Sequence, residues 1–364
     1  MENKSKSGLE GINVADTRLS EVDGAAGRLI VAGSAIEDLA GRVEFAQVVG
    51  RLLQIHGVEV RLGEGRLWAH ERISRLGDAL DRSDGMDALR AALAHQNAQL
   101  PALGGPRAEV EFDEVLRAIG ATATYVAAWS RRQAGQPPLA PSAARGHAED
   151  YLYLTRGEAP DSAVRALDAY LVTIVDHGMN ASTFAARVAA STGTDLYSAL
   201  VAGVGTLKGP LHGGAPGPVL DMLDQIKRPE AAEAWLTEAL DAGRRIMGMG
   251  HRIYRVRDPR AAVLERALGE LERGPSRPRL QLARAVEQQA ERLLAARHPD
   301  RPLKANVEFY TAVLLEAVGL PRRAFTPTFA VGRVAGWCAH VLEQRSTGRL
   351  IRPEARYVGD RPQG

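Results

Sequence analysis

Aromatic residues and cysteine are both scarce in this chain of 364 residues. Phe, Trp and Tyr make up only 5% of it, and Cys338 is its single cysteine. One cysteine excludes an internal disulfide and a zinc site built from several thiolates. A core that is poor in aromatics has to be filled by Ala, Leu and Val, and this composition favours helices over sheets. Cys338 lies beside Trp337 in an apolar stretch, so we interpret it as a small core residue and not as a nucleophile.

Long apolar runs and an excess of charge are also missing. No run approaches the roughly 18 apolar residues of a membrane-spanning helix, and residues 1–8 are polar, unlike a signal peptide. We therefore expect a soluble, cytoplasmic protein.

The net charge is close to zero. Lys and Arg number 46 against 44 Asp and Glu, a net charge of +2, which lacks the excess of positive charge typical of nucleic-acid-binding proteins. The length suits one large domain or two moderate ones.

Apolar residues recur at helical spacing in several segments. Residues 282–293 place Leu, Val and Ala one helical turn apart, and residues 235–240 do the same, with Pro229 suited to the first turn. Residues 89–101 repeat the pattern up to a terminal proline. Residues 166–175 are apolar with few breaks, which predicts a helix buried on most sides.

Strand signals are few, and breaks in the pattern mark loops. Short strands are predicted only at residues 28–31 and 57–62, where β-branched residues cluster. Groups of Gly and Pro predict loops at residues 104–107, 133–142 and 274–278. The chain is therefore predicted to be mostly helical.

Two histidines stand in turns rich in glycine. His212 lies in KGPLHGGA and His251 in GMGHR, where glycine removes side chains and lets a ligand approach the imidazole. Arg260 and Glu308, the latter in NVEFY, follow along the chain, so the residue types of an acid/base set with an anion clamp are present. Each has an ordinary alternative: a solvated turn histidine, a surface arginine or a helix-surface carboxylate. The GxG at residues 248–250 lacks the strand-turn-helix setting of a dinucleotide fingerprint.

Taken together, the motifs of this chain resemble citrate synthases, especially the shorter bacterial and archaeal type. The resemblance covers nearly the whole chain and is weakest between about residues 62 and 139. It rests on the following segments: GLEG at 8–11, DTRLSEVDGAAGRLIVAG at 16–33, DHGMNASTF at 176–184, KGPLHGGA at 208–215, GHRIYRVRDPR at 250–260, NVEFY at 306–310, FAVGRVAGWCAH at 329–340 and IRPEARYVG at 351–359.

The resemblance implies an all-α fold of two domains. The large helical domain would comprise residues 1–216 and 320–364 and would form the dimer, and residues 217–319 would form a smaller inserted helical domain. The active site would then lie in the cleft between them, so that closure excludes water before the enolate forms. The implied reaction condenses oxaloacetate with acetyl-CoA to citrate and CoA, without a metal and without a tightly bound cofactor.

The resemblance also assigns roles to the histidines and to the carboxylate. His212 would hydrogen-bond the thioester oxygen, His251 would polarise and protonate the oxaloacetate carbonyl, and His177 would bind and orient oxaloacetate. From the residues alone, His177 is equally well read as a helix histidine satisfied by a backbone carbonyl. Glu308 stands where the family has its catalytic aspartate.

Arginines are assigned to the two carboxylates of oxaloacetate, which a planar, permanently charged guanidinium binds well. Arg260, Arg333 and Arg352 match the three oxaloacetate-binding arginines of the family. In the family the last of these reaches in from the partner subunit, which implies a homodimer. The positions implied to lie at CoA are Arg255, Met247, Gly248 and Gly250.

Three departures from the family pattern surround this site. Glu308 is one methylene longer than the family's aspartate, and a shift of about 1 Å in a reacting group can cost about 10²-fold in rate. The backbone could have retreated so that Glu308 does the same work, the acyl-CoA could differ, or catalysis could be lost while binding survives. Residues 216–218 (PGP) and 304–305 (KA) also replace the usual Asn-Glu and aromatic-proline pairs.

Two other functions therefore stay open at this point. One is a 2-methylcitrate synthase that uses propionyl-CoA, for which the sequence has no separate signal. The other is a catalytically weak paralogue that binds CoA or a dicarboxylate. The presence of all three histidines and all three arginines argues against the paralogue, because a chain that has lost catalysis has no need of all six.

Overall fold

The computed structural model describes residues 9, 11–96, 109–212, 216–272 and 278–360. Within these residues one small antiparallel sheet precedes a succession of helices, and its three strands pair in the order β1 (Ser20–Asp23), β2 (Arg28–Val31) and β3 (Ser34–Ala35). The helices are α1 (Ile36–Leu39), α2 (Phe45–Leu53), α3 (Val58–His70), α4 (Gly85–Ala94), α5 (Glu109–Gln133), α6 (His147–Arg156), α7 (Asp161–Ile174), α8 (Ala181–Ser191), α9 (Leu196–Leu207), α10 (Pro216–Ile226), α11 (Ala232–Asp241), α12 (Pro259–Leu271), α13 (Pro278–Arg297), α14 (Val307–Val318) and α15 (Phe325–Thr347). The all-α fold expected from the sequence is confirmed.

Small residues let the helices approach one another closely, which offsets the scarcity of aromatics. Helices α3 and α5 meet at Gly65 and Gly120, where a Cβ atom would stand 2.8 Å from the carbonyl oxygen of Leu116 and 2.7 Å from the backbone nitrogen of Arg66. Only glycine allows backbones to meet at such a distance. The few aromatics that exist are buried, as Trp129 is. A dense core is therefore reached by close helix contact and not by large side chains.

Two long helices organise the centre of the molecule. Helix α7 and helix α15 carry fully buried residues around most of their circumference, including Leu171, Ile174, Val331 and Trp337. The predicted buried helix at residues 166–175 is thus confirmed in α7. Cys338 is buried in α15 and its pKa is raised by burial, as expected of a core residue.

Most of the remaining sequence predictions on the described residues hold. Residues 28–31 form strand β2, residues 282–293 lie in α13, and the loop predicted at 133–142 follows the end of α5. Residues 235–240 lie in α11, and Pro229 starts a short 3₁₀ turn directly before it. Helix α4 covers the first part of the predicted helix at 89–101. The loop at 104–107 and most of that at 274–278 lie outside the described residues.

The strand predicted at residues 57–62 is wrong, because these residues begin helix α3. Val58 and Leu62 stand four positions apart and are both buried, whereas Val60 between them is 60% exposed. The apparent alternation was therefore one turn of helix. Gly57 precedes the helix in the left-handed conformation (φ +68°), which reverses the chain there.

None of the helices among the described residues combines the length and the apolar character that crossing a bilayer requires.

Candidate active site

Two segments that are distant in sequence are bonded through their backbones at the start of α14. The backbone nitrogen of Gly250 donates to the carbonyl oxygen of Lys304 (2.7 Å), and that of Asn306 donates to the carbonyl oxygen of Gly248 (2.9 Å). Both glycines have positive φ, and a Cβ on Gly248 would stand 2.8 Å from that of Phe309. We call residues 248–250 and 304–306 the backbone mesh. It fixes the turn that precedes His251 against the turn that precedes Glu308.

Asn306 turns this mesh into the first turn of α14. Its side-chain oxygen accepts from the backbone nitrogen of Glu308 (3.0 Å), and its side-chain nitrogen donates to the carbonyl oxygen of Gly250 (2.9 Å). An Asn at the N-cap satisfies backbone donors that the helix leaves unpaired. Here the same residue also links α14 to the histidine-bearing segment.

Asp258 plays the matching part at the start of α12. Its carboxylate caps the helix by accepting from the backbone nitrogen of Arg260 and also accepts from the backbone nitrogen of Val307 (3.2 Å). The same carboxylate binds the Arg260 guanidinium at two points, at 3.0 and 2.7 Å. Burial alone would lower the pKa of Arg260, but the Asp258 carboxylate beside it raises that pKa above its ordinary value. Arg260 is therefore a buried, fixed and fully charged cation.

His251 is held by its own loop. Its Nδ1 atom accepts hydrogen bonds from the backbone nitrogens of Ile253 (3.0 Å) and Tyr254 (3.1 Å). Nδ1 is thus unprotonated, and in the neutral ring the proton lies on Nε2, which can donate. Burial, and then the charge of Arg260, lowers the pKa of His251 to about 4. The imidazole is accordingly neutral at physiological pH.

His177 lies beside His251, although 74 positions separate them in the sequence. The centroids of their rings are 5.8 Å apart, and the His177 Nε2 atom is 3.1 Å from the Tyr254 hydroxyl. The pKa of His177 is held well below its usual value by burial and then by the charges of Arg260 and Arg333. Two neutral imidazoles therefore contact each other, and the Tyr254 ring packs against both.

A buried chain of polar groups supports the turn that carries His177. Asp176 accepts from the hydroxyl of Ser20 (2.5 Å) and from His340 Nε2 (3.1 Å), and the His340 ring in turn accepts from Arg187 (2.9 Å). The backbone nitrogen of Gly178 donates to the same Ser20 hydroxyl (2.9 Å). The Asp176 carboxylate stays ionised because the favourable contacts with His340 and Ser20 outweigh burial, and its pKa is lowered.

His212 is bound more loosely, in the turn after α9. Its Nε2 atom lies 2.8 Å from the Ser182 hydroxyl, which donates to Asn180 Oδ1 (2.8 Å) and accepts from the Trp337 indole (3.2 Å). Ser182 has one hydrogen, so the proton of the neutral imidazole is on Nδ1 when Ser182 turns that hydrogen from Asn180 to Nε2, and on Nε2 when it does not. Burial, and then Arg333, lowers the pKa of His212 to about 4. Residues 213–215 of the KGPLHGGA motif lie outside the described residues.

Arg333 is almost fully enclosed, at 1% exposure in the middle of α15. Its Nε atom donates to the carbonyl oxygen of Ile174 (2.7 Å), and the guanidinium lies over the ring of Phe329 at 4.7 Å. Burial lowers its pKa to about 10, so it remains charged at neutral pH. Among the described residues its Nε bond is the hydrogen bond that fixes it, which leaves the terminal N–H groups for an anion.

Glu308 is 9% exposed, and its Oε2 atom has no hydrogen-bond partner among the described residues. Burial raises its pKa to about 7, while the charges of Arg260 and Arg333 act in the opposite direction. A buried carboxyl that lacks a partner is costly to the fold and marks a functional position. With such a pKa, it can take up a proton near neutral pH.

The structure brings most of the predicted site residues together. His177, His212, His251, Arg260, Arg333 and Glu308 are linked by mutual contacts or by their effects on one another's pKa values. Gly248 and Gly250 belong to the backbone mesh next to this cluster, and Met247 directly precedes it. Arg255 and Arg352 are exposed, and no described contact joins their side chains to it.

Sequence reasoning missed four residues that position the cluster. Asp258 and Asn306 were detectable, since each is an Asp or Asn immediately before a helix, and Pro259 follows the first of them. Tyr254 and Ser182 carry no such local signal. Their importance arises from contacts with histidines elsewhere in the chain.

The arrangement suits the formation of a carbon–carbon bond next to a carbonyl. A carboxylate with a pKa near 7 can remove a proton, neutral imidazoles can donate to developing oxyanions, and two buried guanidinium groups can hold a dicarboxylate.

Comparison with known proteins leads to the same chemistry. A family model described as citrate synthase, C-terminal domain, matches residues 8–354. A Mycobacterium tuberculosis protein that bears a citrate synthase name is 39% identical, over 98% of this chain and 93% of the relative. Citrate synthase of Haloferax volcanii is 36% identical, over 99% and 97% of the two chains. A 2-methylcitrate synthase of Mycobacterium tuberculosis is 34% identical, over 97% and 90%.

Solved structures agree. The crystal structure of citrate synthase from Pyrobaculum aerophilum superposes with a TM-score of 0.86 at 32% identity and covers 98% of this chain and 93% of that one. The Thermoplasma acidophilum enzyme, solved as a ternary complex with carboxymethyl coenzyme A and oxaloacetate, gives a TM-score of 0.83 at 27% identity and covers 98% and 97%. This chain belongs to the citrate synthase family.

Proposed function

We propose that this protein condenses acetyl-CoA with oxaloacetate to form citrate and CoA, with Glu308 as the base. The observation that carries the proposal is the Glu308 carboxyl itself. It is buried, has no described partner at Oε2, and has a pKa of about 7 between two guanidinium groups. The acyl-CoA is a co-substrate, and no tightly bound cofactor takes part in the proposed reaction.

Oxaloacetate would be held by Arg260 and Arg333, one for each carboxylate. Because Asp258 already occupies one edge of Arg260, the remaining N–H groups of that guanidinium are left for the ligand. His177 would add a hydrogen bond, and His251 Nε2–H would donate to the carbonyl oxygen that becomes the citrate hydroxyl. A neutral imidazole polarises this carbonyl without adding a third buried positive charge.

The condensation would begin when Glu308 removes a proton from the acetyl methyl group. His212 would stabilise the enol oxygen through Nδ1–H, which requires Ser182 to turn its hydrogen from Asn180 Oδ1 to His212 Nε2. The enol carbon then attacks the oxaloacetate carbonyl carbon, and that carbonyl oxygen takes the Nε2 proton of His251. Water would finally cleave the thioester and release CoA, and the proton that Glu308 took from the methyl group would be given up in this stage, which restores the Glu308 carboxylate and the neutral His251.

The longer Glu308 side chain is proposed to do the work of the family's aspartate. Asn306 and Asp258 fix the first turn of α14 through the backbone nitrogens of Glu308 and Val307. Because the first turn is fixed, the backbone of α14 determines where the Glu308 carboxylate lies. Proton removal requires such a fixed position relative to the acyl methyl group.

Three further features belong to this proposal. The chain would form a homodimer in which Arg352, exposed in the extended stretch after α15, binds oxaloacetate in the partner's site. Arg255, Met247, Gly248 and Gly250 would contact CoA. The division into residues 1–216 with 320–364 and residues 217–319, and the cytoplasmic location, remain predictions from the sequence.

The test is thiol release from acetyl-CoA with oxaloacetate, measured for the unaltered chain, Glu308→Gln and Glu308→Asp. We expect turnover by the unaltered chain and a loss of about 10²- to 10⁴-fold for Glu308→Gln, the usual range for a general base. Glu316→Gln, on the same helix but paired with surface arginines, is the matched control and should keep its activity. Near-background rates in the unaltered chain and in Glu308→Asp would refute the proposal.

A second candidate is 2-methylcitrate synthesis from propionyl-CoA, because one of the similar proteins is a 2-methylcitrate synthase. The ratio of kcat/KM for the two acyl-CoAs decides between them. The added methylene of Glu308 reduces the room next to the acyl methyl group, so we expect acetyl-CoA to be preferred.

A further inference from the structure

The hairpin formed by strands β1 and β2 spans the space between the two segments that carry His177 and His251. Its core is buried, with Leu29 and Val31 at 0% exposure. Its strands pair in continuous register, from Ser20 with Val31 to Asp23 with Arg28. It is therefore a fixed element and not a loose terminal ribbon.

The base of the hairpin is attached to the His177 turn. The Ser20 hydroxyl donates to the Asp176 carboxylate and accepts from the backbone nitrogen of Gly178, so it contacts the residue on each side of His177. Gly178 has a positive φ of 58°, and a Cβ there would stand 3.3 Å from the side chain of Val22 in the same hairpin. The hairpin thus holds the side chain of the residue before this imidazole and the backbone of the residue after it.

The tip of the hairpin is attached to the His251 loop. Residues 24–27 form a tight turn in which Asp23 Oδ1 accepts from the backbone nitrogens of Ala25 (3.1 Å) and Ala26 (2.9 Å). The carbonyl oxygen of Gly24 accepts from the backbone nitrogen of Arg255 (2.9 Å). A hydrogen bond between main-chain atoms therefore joins this turn to the loop.

Both glycines of the tip are required by this contact. A Cβ on Gly24 would overlap the carbonyl oxygen of Ile253, and a Cβ on Gly27 would overlap the Cγ2 atom of Val256. Ile253 is also one of the two residues whose backbone nitrogen holds His251 Nδ1. The tip is consequently in close contact with residues 253–256, part of the segment that orients the His251 imidazole.

We propose that this hairpin is a positioning strap that sets the distance between His177 and His251 and thereby the binding geometry of the dicarboxylate substrate. Its positioning residues are Ser20 at the base and Gly24 and Gly27 at the tip. The strap rests on the proposed function, since it acts through two histidines assigned to oxaloacetate.

The decisive experiment compares Gly27→Ala with Gly33→Ala. Both glycines have positive φ, +65° and +79°, so the two variants carry the same kind of backbone strain. They differ in surroundings, because nothing lies within 4 Å of the Cβ that would be added at Gly33. Only Gly27→Ala should displace the His251 loop.

We expect similar melting temperatures for the two variants but different kinetics. A displacement of the order of 1 Å in a group that contacts substrate costs up to about 10²-fold, so kcat/KM for oxaloacetate should fall about 10- to 100-fold in Gly27→Ala and by less than about twofold in Gly33→Ala. The loss should appear in kcat as well as in KM, since His251 donates to the reacting carbonyl. A variant that was merely less stable would lower the active fraction and leave KM unchanged.

A compensating variant identifies the contact. Val256 is 42% exposed, so Val256→Ala should itself have little effect. Combined with Gly27→Ala it makes room for the added methyl group and should restore most of kcat/KM. Equal kinetics for Gly27→Ala and Gly33→Ala, or a loss that Val256→Ala does not relieve, would overturn the strap.

A second variant covers the case in which Gly27→Ala does not fold. Ser20→Ala removes the bonds to Asp176 and Gly178 with almost no change in volume, and we expect kcat/KM for oxaloacetate to fall roughly 10- to 100-fold, as for the loss of a hydrogen bond to a charged group. No change in this variant would also contradict the proposal.

Failure of the strap can be told apart from failure of the proposed function. If the unaltered chain binds oxaloacetate without turning over, the proposed function fails. The same variants are then ranked by their dissociation constants for oxaloacetate, measured by calorimetry. Weaker binding in Gly27→Ala that Val256→Ala relieves still supports the strap.

Discussion

The two histidine-bearing turns next to Glu308 are built in opposite ways. The His251 turn is bonded to residues 304–306 through main-chain atoms, and its imidazole accepts from two backbone nitrogens of its own loop. In the described part of the His212 turn, the backbone nitrogen of His212 donates to the carbonyl oxygen of Gly209 and that of Gly209 to Thr206, and the imidazole contacts the Ser182 hydroxyl. Leu211, its neighbour, is 96% exposed.

The difference indicates different tasks. A group that protonates a specific carbonyl must be fixed before the substrate arrives, since a misplaced donor loses its effect. A group that meets a long, flexible co-substrate benefits from a turn that can adjust. We therefore expect substitutions around His251 to harm folding and catalysis together, and substitutions around His212 to harm catalysis alone.

The largest effect should follow Asp258→Ala, on the rigid side. It leaves Arg260 buried without its partner and removes the acceptor for Val307 N, and breaking a buried ion pair in this way costs about 3 to 5 kcal/mol of unfolding free energy. Chemical denaturation followed by circular dichroism measures it. Asp258→Asn, which keeps the helix cap, is expected to lose less; equal losses, or a loss in Asp258→Ala below about 1 kcal/mol, would contradict the comparison.

The pH dependence of kcat/KM should give the second largest effect, and it tests Glu308 as the proposed base. The proton-accepting form of Glu308 is the carboxylate, and its pKa is raised to about 7, so the active fraction falls as pH decreases below that value. We expect kcat/KM to drop about tenfold per pH unit below pH 7 and to level off above it.

His212 and His251 have pKa values lowered to about 4, so both stay neutral throughout that range. The check is kcat/KM measured in a series of buffers. A second inflection between pH 5 and 7 in that profile would mean that one of the two histidines titrates. His212, the less constrained ring, would then be assigned by repeating the profile with Ser182→Ala.

Ser182→Ala should give a smaller effect, confined to the adjustable side. It removes the hydrogen bond that fixes the His212 tautomer and leaves the backbone mesh untouched. We expect kcat to fall roughly tenfold, the effect of about 1.4 kcal/mol, with only a modest fall in melting temperature, which follows because the buried Trp337 indole also loses its acceptor. Thr192→Ala, which removes an exposed hydroxyl bonded to the carbonyl oxygen of Ala189 at the other end of α8, is the control and should retain full kcat. A large fall in melting temperature would place Ser182 on the rigid side instead.

Leu211→Ser should give the smallest effect. The side chain is 96% exposed, so the free energy of unfolding should change by no more than about 0.5 kcal/mol. If acetyl-CoA covers this turn, KM for acetyl-CoA should rise a few-fold, equivalent to roughly 1 kcal/mol of lost apolar contact, with KM for oxaloacetate unchanged. An unchanged KM for both substrates would show that the turn does not meet the co-substrate.

The sequence was informative about residue types and about local helix structure. Helical spacing predicted α7, α11 and α13, and the motifs singled out His251, Arg260 and Glu308. Short-range patterns sufficed there because a helix face, or a turn that contains glycine, is determined within a few residues.

What could not be predicted depends on contacts between distant segments. Tyr254 matters because its ring contacts both His177 and His251, and Ser182 matters because its hydroxyl contacts both His212 and Trp337. The strand predicted at residues 57–62 failed for a related reason, since alternation over five residues fits one helical turn as well as a strand. The pKa of Glu308 likewise depends on burial by helices whose packing no local pattern encodes.

The backbone mesh has a consequence for how this site can change over evolutionary time. In its two hydrogen bonds, backbone N–H groups donate to the carbonyl oxygens of Lys304 and Gly248. These bonds therefore do not depend on which side chain stands at residues 304 and 305. Lys304 instead pairs with Glu291, and Ala305 is buried as a small filler. Replacement of the family's usual aromatic-proline pair at these positions therefore alters the local surface while the start of α14 stays where it is. Substitutions beside the proposed catalytic carboxylate are tolerated when the backbone that places it is held by main-chain hydrogen bonds.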